Sequence, residues 1–442
     1  MTELYPPQKA AVEKLVGALR RLRVAGNWSV TGTGKTLVGL VTAKELGLQP
    51  LVVAPLAAHG TWSAWSRDLG IPVVGIANPE RLKTGKLPWV TSTGKGKAMQ
   101  FRWNLKTGGN GHIVLWDEIH RGMLGQDSQT GRMAAMLRPQ GIPVLLMSAT
   151  PFTSPLDMRN SGYLMGLHKY ASADYWRFCR AHGCRNSPFH RGLDFNPESR
   201  LAKVHLSRIR EFLDDRTVRL TVEDLKEFFP EQIVEPTLIS LQDRETREID
   251  ELYAEMSKEV RETKNPNPLV EMLRARQRAE YLSAPAIADM VVDSLAEGNS
   301  VYVACTYHGS LYRLKQCLEE QGVMDIAVIT GDVKAGKDGP REQAVADFQA
   351  DRARVMLASE AGGESISLHQ LHEWQRPRTS IIRPTYKASV VTQALGRIYR
   401  AGGLGNVIQR IVLVAGTVEE RVYRRLQFKM NNIATLTDDD LI

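Results

Sequence analysis

The chain has 442 residues, which predicts two or three compact domains at about 150 residues each. Hydrophobic residues make up 43% and charged residues 24%, a balance that excludes a disordered chain. Lys and Arg exceed Asp and Glu, 57 against 49, so the chain permits a polyanionic partner without requiring one.

Membrane and secretory classes are also excluded by the sequence. No apolar run reaches the roughly 18 residues of a membrane span, and residues 1–8 lack the apolar core of a signal peptide. Four cysteines are too few for the disulfide framework of a secreted scaffold. We therefore expect an intracellular, reducing location, in the cytoplasm or with the nucleoid or nucleus, and no membrane partner.

Helical and strand patterns alternate along the first half of the chain. A helical pattern over Pro6–Leu22 comes first, and a second follows at residues 37–46. Short apolar runs typical of buried strands lie at residues 27–30, 50–54, 112–116 and 143–147. Strands alternating with helices predict a parallel sheet, and therefore an α/β fold.

The alternation of helical and strand patterns is interrupted in the middle of the chain and then resumes. Residues 158–229 are dominated by helical, arginine-rich and aromatic segments, and the Asn-Pro-Asn-Pro sequence at 265–268 is the clearest linker signal. Further strands are predicted at residues 232–241, 300–306, 325–330, 354–358, 379–382 and 407–414. We predict three segments: an α/β lobe at 1–155, a mostly helical insertion and linker at 156–265, and a second α/β lobe at 266–442.

A glycine-rich loop follows the first predicted strand and opens a helix. Closely spaced glycines let backbone N–H groups turn toward phosphate oxygens, and the helix N-terminus adds its dipole. Lys35 would neutralise the β- and γ-phosphates of ATP, and the Thr36 hydroxyl would bind Mg²⁺. The first loop position is Ser29 rather than the commoner glycine. The remaining loop residues that we expect at the phosphates are Thr31, Gly32, Thr33 and Gly34.

A similar sequence at residues 331–338 serves as a comparison. It has the same glycine and lysine spacing, but Asp338 stands where Ser or Thr would bind the metal. A carboxylate there would repel phosphate, so we interpret this segment as a polar loop.

Two carboxylates follow the predicted strand at 112–116. The carboxyl ends of parallel strands meet at one sheet edge, where ligands bind in open α/β folds. Asp117 can hold the Mg²⁺ shared with Thr36, and Glu118 can orient and deprotonate the attacking water. A surface acid pair is the plainer alternative, and the phosphate loop about 80 residues upstream favours the catalytic interpretation.

These residues resemble helicase superfamily 2, whose ATP-binding lobe carries a Gly-x-Gly-Lys-Thr loop and an Asp-Glu-x-His box. Residues 5–8, 52–55 and 148–151 resemble further motifs of that lobe in the same order. The resemblance implies two RecA-like lobes, with Gln8 reading the adenine and Pro55 contacting nucleic-acid backbone. It also implies that one motif couples hydrolysis to movement, namely Ser148, Ala149 and Thr150.

The second half is similar to the Swi/Snf-type DNA translocases, and the middle segment is similar to the annealing-helicase members of that branch. Residues 361–368 and 393–400 carry the resemblance, together with the ending at 416–423. The resemblance implies that Gly363 and Gln393 contact the nucleotide and that Ser365 contacts nucleic acid. Residues 74–111 fit the family pattern poorly.

Arg397 and Arg400 lie at positions i and i+3 of a predicted helix, which would place both on one face. As arginine fingers they would stabilise charge on the transferring phosphoryl group. A solvated helix face is the alternative, and Gln393 and Gly396 at the family spacing favour the catalytic role.

The segment at 78–111 is strongly basic, with seven basic residues and the single acid Glu80. Glycines flank Lys95 and Lys97, so this loop could bring ammonium groups against phosphates. We predict nucleic-acid contacts at Ser92, Lys95 and Lys97. The alternative is a soluble loop whose aromatic residues pack into the first lobe.

Cysteine and histidine residues at 179–184 and His190 invite a zinc interpretation. The spacing is tighter than in most zinc sites, and Cys179 matches a core position of the Swi/Snf pattern, so we favour packing over metal binding.

The sequence as a whole predicts an ATP- and Mg²⁺-dependent translocase on double-stranded DNA. We expect a monomeric, minimal motor without an appended targeting module, so that DNA structure or a further protein would direct it. One alternative is a strand-separating DNA or RNA helicase, although the sequence reveals no wedge or hairpin. A nucleic-acid clamp that uses ATP as a switch, without travelling, is the alternative of another class.

Overall fold

The computed structural model describes residues 3–120, 123, 128–187, 191–197, 199–262, 268–333, 339–363, 366–385 and 387–437. These residues form two compact units, the first within Met1–Lys226 and Phe428–Ile442, the second within Glu227–Gln427. Each unit is built around its own parallel sheet with helices packed on it.

The helices are α1 (Pro6–Leu22), α2 (Lys35–Glu45), α3 (His59–Asp68), α4 (Pro79–Leu82), α5 (Gln129–Ala135), α6 (Ser161–Leu164), α7 (Ser172–Ala181), α8 (Ala202–Leu213), α9 (Asp243–Glu262), α10 (Pro268–Leu282), α11 (Ala284–Ala296), α12 (His308–Glu320), α13 (Pro340–Gln349), α14 (Ala388–Leu395) and α15 (Val418–Thr437). The strands are β1 (Val24–Asn27), β2 (Gln49–Val53), β3 (Gly75–Ala77), β4 (Val90–Thr93), β5 (Gln100–Trp103), β6 (His112–Asp117), β7 (Val144–Met147), β8 (Arg185–Asn186), β9 (Leu193–Asp194), β10 (Thr217–Val218), β11 (Gln232–Ile239), β12 (Ser300–Cys305), β13 (Ile326–Ile329), β14 (Val355–Ser359), β15 (Arg378–Ile382) and β16 (Val407–Val414).

The sheet of the first unit has the order β10-β1-β7-β6-β2-β3, with every pair parallel. Its central strand β6 buries Ile113 to Trp116 completely, which explains an unbroken apolar run rather than an alternating one. The predicted strands at 50–54, 112–116 and 143–147 are confirmed to within a residue or two.

The first predicted strand is misplaced. We expect it at residues 27–30, whereas β1 is Val24–Asn27. Residues 28–30 lie beside the end of β10 and the residues that follow it. Trp28 N and Val30 N donate to Val218 O and Leu220 O of that segment at 2.8 and 3.0 Å.

The sheet of the second unit has the order β11-β16-β15-β12-β14-β13, again entirely parallel. All six strands predicted for this part of the chain are present, and β16 has its predicted bounds. The α/β class with two parallel-sheet lobes is thereby confirmed.

The segment predicted as a helical insertion contributes an edge strand to each sheet. Its helices α6, α7 and α8 precede β10, which joins the first sheet, and β11 then joins the second. The bounds of the three predicted segments stay predictions. The linker proposed at 265–268 lies, apart from its last residue, outside the described residues, as do positions 334–338 of the polar loop.

An antiparallel hairpin that the sequence did not reveal lies within the basic segment. Strands β4 and β5 pair Val90 with Trp103 and Thr93 with Gln100. Phe101 and Trp103 are 5% and 3% exposed, so these aromatic residues belong to the core of the first unit. Of the helices described, none has both the length and the apolar character needed to cross a membrane.

A buried ion pair closes one end of the second sheet. Arg383 follows β15 and Glu419 begins α15, and their side chains are only 2% and 3% exposed. The guanidinium donates to both carboxylate oxygens at 2.8 Å and to Val412 O at 2.9 Å. Val414 N donates to the same carboxylate at 2.9 Å, so the pair has the additional hydrogen bonds that a buried pair needs.

Replacement of one partner should therefore be costly. Glu419→Ala leaves the Arg383 charge buried without its counter-ion, and we expect a loss of about 3–5 kcal/mol in the free energy of unfolding. The matched control is Glu235→Ala, whose partner Arg410 is partly solvated, with an expected loss of about 0–1 kcal/mol. Urea unfolding measures both, and equal losses would contradict the assignment.

Candidate functional site

The phosphate loop joins β1 to α2 and is closed by its own lysine. Lys35 Nζ donates to Ser29 O at 2.9 Å and to Val30 O at 3.1 Å. Gly32 and Gly34 have φ of 89° and 86°, a left-handed conformation that favours glycine. The ammonium group is thus already at the mouth of the loop, where a phosphate would bind.

Gln8 braces this loop from α1. Its side-chain amide donates to Thr33 O at 2.8 Å, and its carbonyl accepts from Tyr5 N at 2.9 Å. Thr33 Oγ1 in turn donates to Val30 O at 2.8 Å. The amide nitrogen and the carbonyl oxygen of Gln8 each have one partner within the first unit, and each has capacity for a further hydrogen bond. Thr31 and Thr36 are partly exposed on the loop and the first turn of α2.

Ser29, the departure from the commoner glycine, has a structural reason. Its hydroxyl accepts from Leu220 N at 2.9 Å, and Arg219 Nη1 donates to Trp28 O at 2.7 Å. The hydroxyl therefore fastens the segment after β10 to the base of the phosphate loop. These partners are 191 residues apart in sequence, so no local pattern could reveal them.

The two carboxylates lie at the carboxyl end of β6, as predicted. Trp62 Nε1 donates to Asp117 Oδ2 at 3.0 Å, and Glu118 N donates to Asp117 Oδ1 at 3.1 Å. Desolvation, followed by the negative charge of Glu118, raises the pKa of Asp117 to about 6. Because its surroundings disfavour the negative charge of Asp117, a bound cation would stabilise that charge. The carboxylate and the Thr36 hydroxyl are oxygen donors of the kind that hard divalent cations prefer.

Glu118 is one of four described non-glycine residues with a positive φ. Its φ of 52° is left-handed, which is uncommon for a residue other than glycine. Oε2 of Glu118 lies 3.3 Å from His120 Nδ1, and the same nitrogen lies 3.2 Å from Ser148 Oγ. Strain of this kind is characteristic of functional positions. His120 therefore connects the predicted water-orienting carboxylate to the predicted coupling motif.

The coupling motif itself is buried against the strand ends. Ser148 N donates to Asn27 O at 3.1 Å, and Ser148 Oγ accepts from Thr150 N at 3.1 Å. Ala149 and Thr150 are 4% and 3% exposed. A shift at His120 would therefore reach a segment that has little room to move independently.

Arg397 and Arg400 converge in the second unit, though without a helix. The expected helical i, i+3 pair is wrong, because α14 ends at Leu395 and Gly396 occupies its C-cap. Both guanidinium groups nevertheless donate to Ile366 O, at 3.3 and 2.9 Å. Burial, and then the charge of Arg397, lowers the pKa of Arg400 to about 9, so the side chain stays charged at neutral pH.

Gly363 and Gln393 lie in the same unit. Gly363 N donates to Ser359 O at 2.7 Å, and a Cβ at Gly363 would lie 3.0 Å from the Tyr302 hydroxyl. The preceding Gly362 is more tightly confined, because its Cβ would lie 2.1 Å from Ile329 O. Gln393 is partly exposed on α14. Their nucleotide contacts stay predictions.

No family model matches the chain. A protein of Acanthamoeba polyphaga mimivirus named as an ATP-dependent RNA helicase is 28% identical over 467 aligned positions, covering 99% of this chain and 84% of the viral protein. DNA excision repair protein ERCC-6-like of Danio rerio is 35% identical over 22% of this chain and 7% of its own length. An SNF2 domain-containing protein of Oryza sativa subsp. japonica is 25% identical over 33% of this chain and 14% of its own. A solved structure, the Sulfolobus solfataricus SWI2/SNF2 ATPase core in complex with dsDNA, overlaps 97% of this chain and 92% of that chain at 13% identity, with a TM-score of 0.38.

The viral relative is matched nearly end to end, and the other relatives share a segment that is a small part of their length. The chain is similar to helicase-like ATPases of the Swi/Snf type. As an ATP hydrolase it uses ATP, which the predicted loop is built to hold.

The residues predicted to contact nucleic acid differ in exposure. Pro55 is buried at the end of β2, and Ser92 is partly buried on β4, whereas Lys95 is exposed at the tip of the hairpin. The side chain of Lys97 and the whole of Ser365 lie outside what the structure describes. These assignments stay predictions.

Among the described residues, the zinc interpretation lacks a third ligand. Cys179 and Cys184 are buried, and Cys179 Sγ lies 3.7 Å from Pro155 O. His182 Nδ1 lies 2.9 Å from Phe178 O within its own helical turn. Among the described residues no group of three or more His, Cys, Asp or Glu side chains could hold a metal ion, and His190 is not among them.

The sequence did not reveal two contributions to the candidate site. Trp62 lies on α3, 55 residues before the carboxylate that it contacts, and no local signal marks it. His120 was part of the recognised acidic box, but its contact with Ser148 depends on the adjacency of β6 and β7.

Gly34 should be irreplaceable in this loop. A Cβ would lie 2.6 Å from Gln8 Nε2, and the φ of 86° would strain any other residue. We expect Gly34→Ala to weaken ATP binding at least tenfold, measured by fluorescence titration with a labelled nucleotide. Gly17→Ala is the control, since its Cβ meets nothing within 4 Å on helix α1. If both variants bind ATP as the wild type does, the loop geometry is not what positions the nucleotide.

Proposed function

We propose that this ATPase is a translocase on double-stranded DNA that couples ATP hydrolysis to movement along, or remodelling of, the duplex. The observation that carries the proposal is the contact of His120 with both Glu118 and Ser148, at 3.3 and 3.2 Å. This contact joins the residue that would activate water to the motif that would transmit the result. Relatives named for DNA repair and for the SNF2 domain favour DNA as the track.

The residues of the first unit have separable roles in this proposal. Lys35 would neutralise the terminal phosphates of ATP, and the backbone N–H groups of the loop would bind the remaining phosphate oxygens. Asp117 and Thr36 would hold Mg²⁺, which when bound supplies charge neutralisation at the phosphates. Glu118 would orient water and accept its proton, and Gln8 would contact the adenine.

Residues of the second unit would complete the chemistry. Arg397 and Arg400 would stabilise the charge that develops on the transferring phosphoryl group. The Arg400 guanidinium stays charged at neutral pH. Both guanidinium groups donate to one carbonyl, so they would respond together to any movement of Ile366. Gly363 and Gln393 would contribute nucleotide contacts.

A strand-separating helicase is the second candidate function. The viral relative that matches almost the whole chain is named as an RNA helicase. The chain also contains the β4–β5 hairpin, an element that sequence reasoning did not find and that strand separation would need.

Glu118 should govern hydrolysis rather than binding. We expect Glu118→Gln to bind ATP within about threefold of the wild type and to lose at least a hundredfold in kcat, because the amide cannot accept the proton from water. Single-turnover hydrolysis measures the chemical step. Glu45→Gln, on an exposed part of α2, is the control. Normal turnover in Glu118→Gln would place the base elsewhere.

The nature of the track is tested by the ATPase rate on different polymers. We expect strong stimulation by duplex DNA that rises with duplex length until it reaches the distance travelled per binding event. Single-stranded DNA and RNA of the same lengths should stimulate weakly. Preference for RNA or single strands supports the helicase candidate instead. Slow hydrolysis that is independent of length supports an ATP-switched clamp.

A further inference from the structure

The β4–β5 hairpin presents one polar face to solvent. In the antiparallel register, Thr91 pairs with Arg102 and Thr93 with Gln100, so these side chains share a face. Thr91, Thr93, Gln100 and Arg102 are exposed, and so is Lys95 at the tip. The opposite face carries Val90, Phe101 and Trp103, which are buried in the core of the first unit.

The hairpin is held firmly at its base and at its tip. Trp103 Nε1 donates to Met133 O at 2.8 Å, and Gln140 exchanges hydrogen bonds with the Trp103 backbone at 2.9 and 3.3 Å. At the other end, Arg132 Nη2 donates to Gly96 O at 3.0 Å. Helix α5, which carries Arg132 and Met133, therefore fixes the direction in which the exposed face points.

The chemistry of the exposed face suits phosphate. Residues 90–103 contain two lysines, one arginine and no acidic residue. Hydroxyl, amide and guanidinium groups are the donors that most often contact phosphate oxygens. We propose that the outer face of the β4–β5 hairpin binds the phosphate backbone of a nucleic-acid duplex, with Arg102 and Lys95 as its charged contacts.

Binding to bases is less well supported by the same face. Base stacking requires an exposed aromatic ring, and the hairpin buries both Phe101 and Trp103. The tip, residues 94–99, carries two lysines, and its one large apolar residue, Met99, packs against the core of the first unit and is not free to insert between base pairs. The hairpin is accordingly a contact that follows the backbone and reads no sequence.

This inference rests on the proposed function, which supplies the duplex. The test is the double variant Lys95→Glu with Arg102→Glu, compared with the control Lys14→Glu with Lys44→Glu. Both pairs change the net charge equally, and the control lysines are exposed on α1 and α2 of the same unit. Affinity for a duplex of 30 base pairs is measured by anisotropy at several salt concentrations.

We expect the hairpin variant to lose at least tenfold in duplex affinity at low salt, and the control to lose less than threefold. The slope of log affinity against log salt should fall by about 0.9 for each phosphate contact removed, and thus by about 1.8 in the double variant. Basal ATPase without nucleic acid should be unchanged in both variants. Wild-type affinity and slope in the hairpin variant, or an equal loss in the control, would overturn the inference.

Failure of the hairpin inference and failure of the translocase proposal give different results. If duplex DNA does not stimulate the wild-type ATPase but the hairpin variant still loses duplex affinity, the hairpin contact stands and translocation fails. If duplex length stimulates both proteins equally and the hairpin variant also keeps wild-type duplex affinity, translocation stands and the hairpin contact fails. A loss confined to single-stranded DNA would overturn the assignment to a duplex.

Discussion

The parallel register of β1, β7 and β6 is the constraint on which the catalytic site depends. Met147 pairs with Asn27 on one side and with Asp117 on the other, so the three strands end at the same level. The residues that follow are therefore brought together without any further device. A shift of one residue in any of these strands would turn its side chains to the opposite face and separate Glu118 from Ser148.

The proposed connection between hydrolysis and movement would follow from this register. Glu118 cannot relax into an extended strand, because its left-handed backbone turns the chain away immediately after β6. Asp117 Oδ1 holds that turn through Glu118 N. His120 then lies between the carboxylate and Ser148, whose backbone is bonded to Asn27. His120 Nδ1 lies 3.3 Å from Glu118 Oε2 and 3.2 Å from Ser148 Oγ. In the proposed mechanism, a loss of negative charge at the nucleotide would therefore shift a buried segment that has few alternative conformations.

What could be predicted from the sequence follows from burial. Strands covered on both faces have unbroken apolar runs, and such runs predicted β2, β6 and β7 and the six strands of the second sheet to within two residues. Strand β1 was misplaced, and the short edge strands β3 and β10 were not predicted. Contacts between distant segments left no such pattern. Ser29 with Leu220 and Trp62 with Asp117 are pairs of this kind. The prediction of a helix through Arg397 is wrong because α14 ends at Leu395, with Gly396 at its C-cap. A glycine at that position can end a helix or lie within one, so the sequence did not distinguish the two.

The hairpin was missed for a different reason. Its strands have four residues each, and its glycine-rich tip has the composition of an irregular loop. The composition of the basic segment is compatible with two interpretations, namely nucleic-acid contact and packing of its aromatic residues into the lobe. The hairpin makes them compatible, because alternate residues point to opposite faces. Phe101 and Trp103 stabilise the position of the strands, and that packing is what leaves Arg102 pointing outward. The burial of the aromatic residues is thus the condition for a rigid basic face, rather than an alternative to it.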